Sequence, residues 1–399
     1  MIRSVGLSVV LLLFMTMSSS TVYADPLSDP DSALPTTDEW MRSQAQDLSL
    51  DEVEAYWNHL MEKYGGYFPE GTPPKLSDIL FSEESSFDFT DVISGIARYL
   101  FHEILYNGRL LVTIVILTIF CMILQTLQNA FEKNTVSMVA YAVIYIVLII
   151  IAVNSFQNAV SYANSAISSM IHFMVAMIPL LLTLLASMGN IVSVTIMHPL
   201  IVFMIHTIGT LVYTVIFPLL FFSAVLHIVS SISDKYKVNQ LADLLRNIAM
   251  AVLGMGLTVF LGVLTVRGAT AAVADGVTIR TAKYVTGNFV PVVGRMFADA
   301  TDTVISASLL VKNAIGLSGV IIIVLLCAFP AMKIIALALI YNVSAAVMQP
   351  LGNSPIVTCL KTIGKSMISI FAALASVALL FFLAVAIMIT AANVTVMVR

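Results

Sequence analysis

From Asn134 through Ser233 the chain runs for one hundred residues without a single Asp, Glu, Lys or Arg. No water-soluble fold offers a place for such a stretch. In lipid every backbone N–H and C=O needs an internal partner, so the stretch is predicted to form membrane-spanning helices. At roughly 20 residues per crossing it holds about four spans joined by short links. The rest of the chain agrees: 59% of all residues are hydrophobic and 11% charged, against about 25% charged in globular domains. The predicted fold class is an all-α polytopic membrane protein with about seven or eight transmembrane helices and a small helical extracytoplasmic N-terminal region.

Charge divides the chain in two. Asp25 to Tyr99 carries sixteen carboxylates against Arg42, Lys63, Lys75 and Arg98, whereas from Glu103 onward fourteen basic residues face seven acidic ones. An acidic head therefore precedes a weakly basic membrane body. No basic cluster exists to neutralise a phosphate backbone, which excludes nucleic acid as a partner. Cys121 and Cys327 sit in apolar stretches and Cys359 follows Pro355. With no CxxC or HExxH pattern, they are expected to be small buried hydrophobes, and no metal or other cofactor is expected.

Residues 1–24 have the form of a signal peptide, with Arg3, an apolar core from Val5 to Met15, and Val22-Tyr23-Ala24 before a cleavage at Asp25. The acidic region 25–102 is then extracytoplasmic. It opens on a Pro/Asp/Ser-rich leader, Asp25 to Thr37, expected to be disordered. Ser49-Leu50-Asp51-Glu52 matches a capping box that starts a helix. Val53, Trp57, Leu60 and Tyr64 recur at helical spacing as a candidate docking face, and Gly65-Gly66 ends the helix. So short a head cannot bury a large core alone, so it is expected to dock on the membrane surface or on another protein. A second amphipathic stretch, Phe89 to Leu105, leads into the membrane.

The first transmembrane bundle covers 103–266. Spans are expected near Ile104–Leu127, Val136–Val153 and Met170–Met188, with Asn154 to Ser169 as an outer loop or interfacial helix. Ile191 to Ser231 is either a hairpin turning near Gly209 or one long broken helix. Asp234 to Asn247 is a polar connection with an interfacial face, and Ile248 to Val266 spans again. The orientation stays open. A hairpin puts Lys133, Lys235, Lys237, Arg246, Lys361 and Lys365 inside. A single span instead puts Lys133, Arg267, Arg280, Lys283, Arg295, Lys312 and Arg399 there.

Residues 267–319 form the one long charged segment of this body, studded with glycine. Arg280, Lys283, Arg295, Asp299, Asp302 and Lys312 are candidate channel or interaction residues within it. Asp299, Asp302, Ser306 and Asn313 share a helix face, which suits either a hydrophilic path or a solvated surface. In the C-terminal helices, 320–399, Lys333 with Pro330 one turn earlier is a further candidate, since a charge inside a span tends to face a cavity or a partner. Gly316-Leu317-Ser318-Gly319 fits the G-x-S-G pattern of rhomboid-type proteases, with His198, His206 and His227 as available histidines. A serine and glycines that pack or cap are the commoner outcome of so short a pattern.

Several stretches together resemble the stage III sporulation protein AE family of endospore-forming bacteria. They are EVEAYWNHLMEKYGGYFPE (52–70), YLFHEILYNGRLL (99–111), LQTLQNAFEKN (124–134), IPLLLTLLASMGN (178–190), YKVNQLADLLRNI (236–248) and DGVTIRTAKYVTGNFVPVVGRMFADATDTV (275–304). The resemblance implies a non-enzymatic subunit of the channel, or feeding-tube, complex between mother cell and forespore, needed for late forespore gene expression. It implies the mother-cell membrane around the forespore as the location, with the head between the two membranes. Other stage III sporulation membrane proteins of that complex and membrane lipid are the implied partners. The alternatives are a stand-alone small-solute permease and, less favoured, an intramembrane serine protease.

Overall fold

The computed structural model describes residues 50–68, 76, 89–130, 135–232, 238–289, 293–351 and 354–397. The signal sequence, the leader and Ser49 of the capping box lie outside them. Among the described residues there is helix and no strand. The helices are α1 Asp51–Tyr64, α2 Phe89–Tyr106, α3 Gly108–Ala130, α4 Thr135–Ser187, α5 Ile191–Leu211, α6 Phe217–Ile232, α7 Asn239–Phe289, α8 Val293–Met348 and α9 Pro355–Met397. Six stretches are long and apolar enough to cross a membrane, the third being α5 and α6 taken together. Six is roughly consistent with the seven or eight crossings expected, and several of the stretches are about twice as long as one crossing requires.

Helix α1 forms for local reasons. Asp51, Glu52 and Glu54 occupy its first turn and Lys63 its last, each placed favourably against the helix dipole. Val53, Trp57, Leu60, Met61 and Tyr64 are buried on one side. The chain leaves through a 3-10 turn at Gly65–Tyr67.

Helix α4 holds 53 residues and is about 80 Å long at 1.5 Å per residue. It absorbs both flanking spans and the 154–169 stretch that sequence alone suggested as an outer loop or interfacial helix. The reason is packing. Phe156, Ala159, Ala163, Ala166 and Ile167 are buried in the bundle, and the Tyr341 hydroxyl donates to Ser155 Oγ at 2.9 Å. Polar but uncharged residues lie inside a helix bundle without penalty once they are hydrogen-bonded.

Ile191 to Ile232 is the long broken helix rather than the hairpin. It passes through a π turn, Val212–Ile216. Gly209 is a contact point, since a Cβ there would lie 2.5 Å from Ile171 Cδ1. The 239–247 stretch is continuous with the rest of α7 rather than a separate interfacial helix, although Leu241, Leu244 and Ile248 stay exposed.

Helix α8 organises the body, packing on α1, α2, α3, α4, α7 and α9. Pro330 lies within it and does not end it. It runs antiparallel to α4 from Ser155 to Ser187. Tyr341 meets Ser155, Lys333 meets Tyr162, Gly319 meets Met177, and the Ser308 and Ser187 hydroxyls lie 3.3 Å apart.

The bundle thus has two distinct ends. At one, the Tyr145 hydroxyl lies 2.8 Å from Ser231 Oγ, His227 faces Asn239 and Asp243 of α7, and Asn342 packs on Gly364. In sequence, Lys133, Lys235 and Lys237 fall between the helices that meet here, outside the described residues, and Arg246 lies on α7 and Lys361 and Lys365 on α9. This is the charge grouping expected of a hairpin. It arises with no hairpin because the merged α4 removes one crossing as the continuous α5–α6 removes another.

Candidate functional site

At the middle of the bundle, the head closes on Phe329. The Tyr64 ring stacks on Phe329 with centroids 3.8 Å apart and planes 5° from parallel. Tyr99 of α2 meets the same ring edge-on at 5.1 Å, and Phe68 does so at 6.3 Å. Tyr56 reaches Phe173 of α4 at 5.4 Å. The face of Val53, Trp57, Leu60 and Tyr64 is buried against this chain's own α4 and α8, where the sequence suggested the membrane surface or another protein. Pro330 follows Phe329. One turn on, the half-buried Lys333 places Nζ 5.1 Å from the Tyr162 ring centre, a cation–π arrangement.

Glu103 of α2 is buried beside this cluster and accepts from Asn107 Nδ2 at 3.3 Å. Burial, then the Glu103 charge and Tyr67, push the Tyr64 phenol up to about 12. Burial, with Glu103 next, pushes Tyr99 up as well. The docked head therefore favours the neutral phenols. Its grip is complete below the ordinary tyrosine value of about 10 and is lost as pH rises through about 12. In a Trp40→Phe background, Trp57 fluorescence is expected to shift to the red across that window. The Tyr64→Phe, Tyr99→Phe double variant is expected to hold its emission to higher pH.

The second site lies at the other bundle end. Asp275 of α7 is 1% exposed. Its Oδ1 accepts from Val192 N–H and its Oδ2 from Ser193 N–H, both at 2.9 Å. The Asn190 side chain makes no such bond. A carboxylate from another helix thus caps the N-terminus of α5, where backbone donors and the helix dipole both favour negative charge. The turn before it depends on Gly189, whose φ of 82° is costly for any residue with a Cβ.

Lys312, 1% exposed, donates from Nζ to the Ile389 carbonyl of α9 at 2.8 Å. Gly316 lies against the same Ile389, closer than any Cβ would allow. Ser318 is buried and donates to the Ile315 carbonyl at 2.8 Å. The G-x-S-G stretch is therefore a helix-packing surface. Gly316→Leu is expected to cost about 1–3 kcal/mol through overpacking. It should lower the melting temperature in detergent relative to Gly262→Leu, where nothing lies within 4 Å.

The other candidates are dispersed. Arg280 is exposed on α7. Lys283 lies on α7 and Arg295, Asp299 and Asp302 on α8, their side chains lying outside the described part. Ser306 is exposed and Asn313 half-buried on the same face of α8, while Lys312 turns into the bundle. Sequence reasoning missed Asp275 as a cap and Phe329 as the head's anchor. The one available signal was an isolated acid within a small-residue helix, just after an unbroken apolar run.

Set against known proteins, residues 74–392 match the family described as Stage III sporulation protein AE. A Stage III sporulation protein AE from Bacillus subtilis (strain 168) is 52% identical over 364 residues, covering 91% of each chain. No solved structure matches.

Proposed function

We propose, from the premise that the chain belongs to the stage III sporulation protein AE family, that it is a non-enzymatic subunit of the channel assembly joining mother cell and forespore. It is a sporulation protein whose helices fit a multi-pass membrane protein. In this proposal the body sits in the mother-cell membrane around the forespore. The head is extracytoplasmic and faces the space between the two membranes. The end closed by Lys133, Lys235, Lys237, Lys361 and Lys365 is cytoplasmic, in line with the positive-inside tendency.

One observation carries the proposal. At about 80 Å, α4 exceeds the ~30 Å hydrocarbon core more than twofold, so much of the bundle projects beyond it. In this proposal the charged end is the one that projects, and it exposes Ile191, Phe203, Val273, Val277 and Tyr284. Exposed large apolar side chains outside lipid mark contact surfaces, and other membrane proteins of the same complex are the proposed cover. A stand-alone permease needs buried ionisable groups to couple transport to an ion. Here Asp275 and Lys312 hold backbone groups of neighbouring helices. Reconstituted alone in liposomes, the protein is expected to give no selective solute flux. Affinity capture from sporulating cells is expected to return other stage III sporulation membrane proteins. Unaided selective transport would overturn the subunit assignment.

A further inference from the structure

A cavity of about 320 Å³ opens between α4 and the junction of α5 with α6, within the size range of small-ligand sites. Its walls include Gln157 and Asn164 of α4, and Tyr213, Phe217, Phe221 and Phe222 across from them. Two acceptors on the residues that line it lack a usual donor.

The first arises at the π turn. Phe217 N–H donates to the Val212 carbonyl, five residues back. The Tyr213 carbonyl thereby loses Phe217 as its helical donor, and the next residue is Pro218, which has no N–H. The second is on Asn164. Its Oδ1 is buried without a hydrogen-bond partner, although the Tyr213 hydroxyl donates to the Asn164 main-chain carbonyl at 3.3 Å. A buried acceptor without a donor costs stability, and a donor from outside the chain would relieve it. No Asp, Glu, Lys or Arg stands anywhere from Asn134 to Ser233 and no histidine lines the cavity, so the complement is a neutral donor. The phenylalanine walls, with Phe222 58% exposed at the mouth, suit an apolar body.

We infer that this cavity binds a neutral, hydroxyl-bearing lipid, its acyl chain along the Phe217, Phe221 and Phe222 wall and its hydroxyl donating to Asn164 Oδ1. The cavity lies within apolar membrane-length helices, where lipid is the surrounding medium. Helix-to-helix contacts in membranes favour small residues, and this wall is phenylalanine-rich, which favours lipid over a partner helix.

The test uses the full-length protein in phosphatidylcholine nanodiscs with a photoactivatable diacylglycerol. 1,2-Dioctanoylglycerol competes with the label, and so does the same molecule lacking the hydroxyl. In the wild-type protein the hydroxyl compound is expected to compete about tenfold better, the value of one buried hydrogen bond. Asn164→Leu is expected to abolish that difference. Phe222→Ala, at an exposed position that leaves the fold intact, is expected to weaken competition by both compounds. Equal competition by the two compounds in the wild-type protein would overturn the inference. So would unchanged competition in Phe222→Ala, or a photoreactive residue at 222 that cross-links in cells to a protein chain rather than to lipid.

Discussion

Phe329→Ala is expected to release α1 from the membrane body while leaving the helix bundle assembled. The Phe329 ring is fully buried and meets Tyr64, Phe68 and Tyr99 alike. Truncating a buried phenylalanine costs about 3–5 kcal/mol. Each ring pair lost adds roughly 0.5–1.5 kcal/mol beyond area burial. That cost falls on the head contact, because α8 keeps its packing against α4 and α9 along the rest of its length. Head release should become at least about a hundredfold more favourable, at 1.4 kcal/mol per decade. Amide hydrogen exchange across Asp51–Tyr64 is the direct measurement. The variant should exchange faster there by that factor, with α4 and α9 unchanged. Unaltered protection of α1 would show that the head is held by something other than the Phe329 clasp.

Asp275→Ala carries the second large effect. It removes two charge-assisted hydrogen bonds and leaves the Val192 and Ser193 N–H groups buried without acceptors. Bonds to charged groups contribute about 1.5–3 kcal/mol each, so a loss of roughly 3–6 kcal/mol is expected. Asp275→Asn keeps one acceptor oxygen and should lose about half of that. Opening should be local to the 188–190 turn and the first turn of α5, where Gly189 already holds a left-handed backbone. Rapid exchange at Val192 and Ser193, graded Ala over Asn over wild type, is the expected pattern. Loss of sporulation in the alanine variant at normal protein level would tie this cap to function.

Much of this architecture is legible in the residues, for a physical reason. An uncharged run of one hundred residues leaves helix in lipid as its only solvent-compatible state, and the Val53, Trp57, Leu60, Tyr64 spacing defines a buried face whatever covers it. The boundaries are less legible. Asn154, Gln157, Ser161 and Asn164 have the composition of a loop, yet α4 runs through them because Phe156, Ala159, Ala163 and Ile167 pack into the bundle and Ser155 is hydrogen-bonded by Tyr341. Local composition cannot report a partner more than a hundred residues away, such as Tyr341 for Ser155. The same limit hid Asp275, whose partners are main-chain groups 82 and 83 residues earlier in sequence. Within the charged segment the identity of each residue was plain, but which charges turn inward is a tertiary matter. Lys312 is buried while Arg280, on the neighbouring helix, is exposed.

The central claim is that the head and the charged bundle end share the extracytoplasmic side of one membrane, with the lysine-bearing links opposite. Single cysteines placed at Glu54, Arg280 and Lys361, all exposed, test it in a background with Cys121, Cys327 and Cys359 replaced. With a membrane-impermeant maleimide on intact protoplasts, positions 54 and 280 are predicted to label and position 361 to label after lysis alone. Labelling of 361 from outside, or protection of 54 and 280 until lysis, would contradict the account.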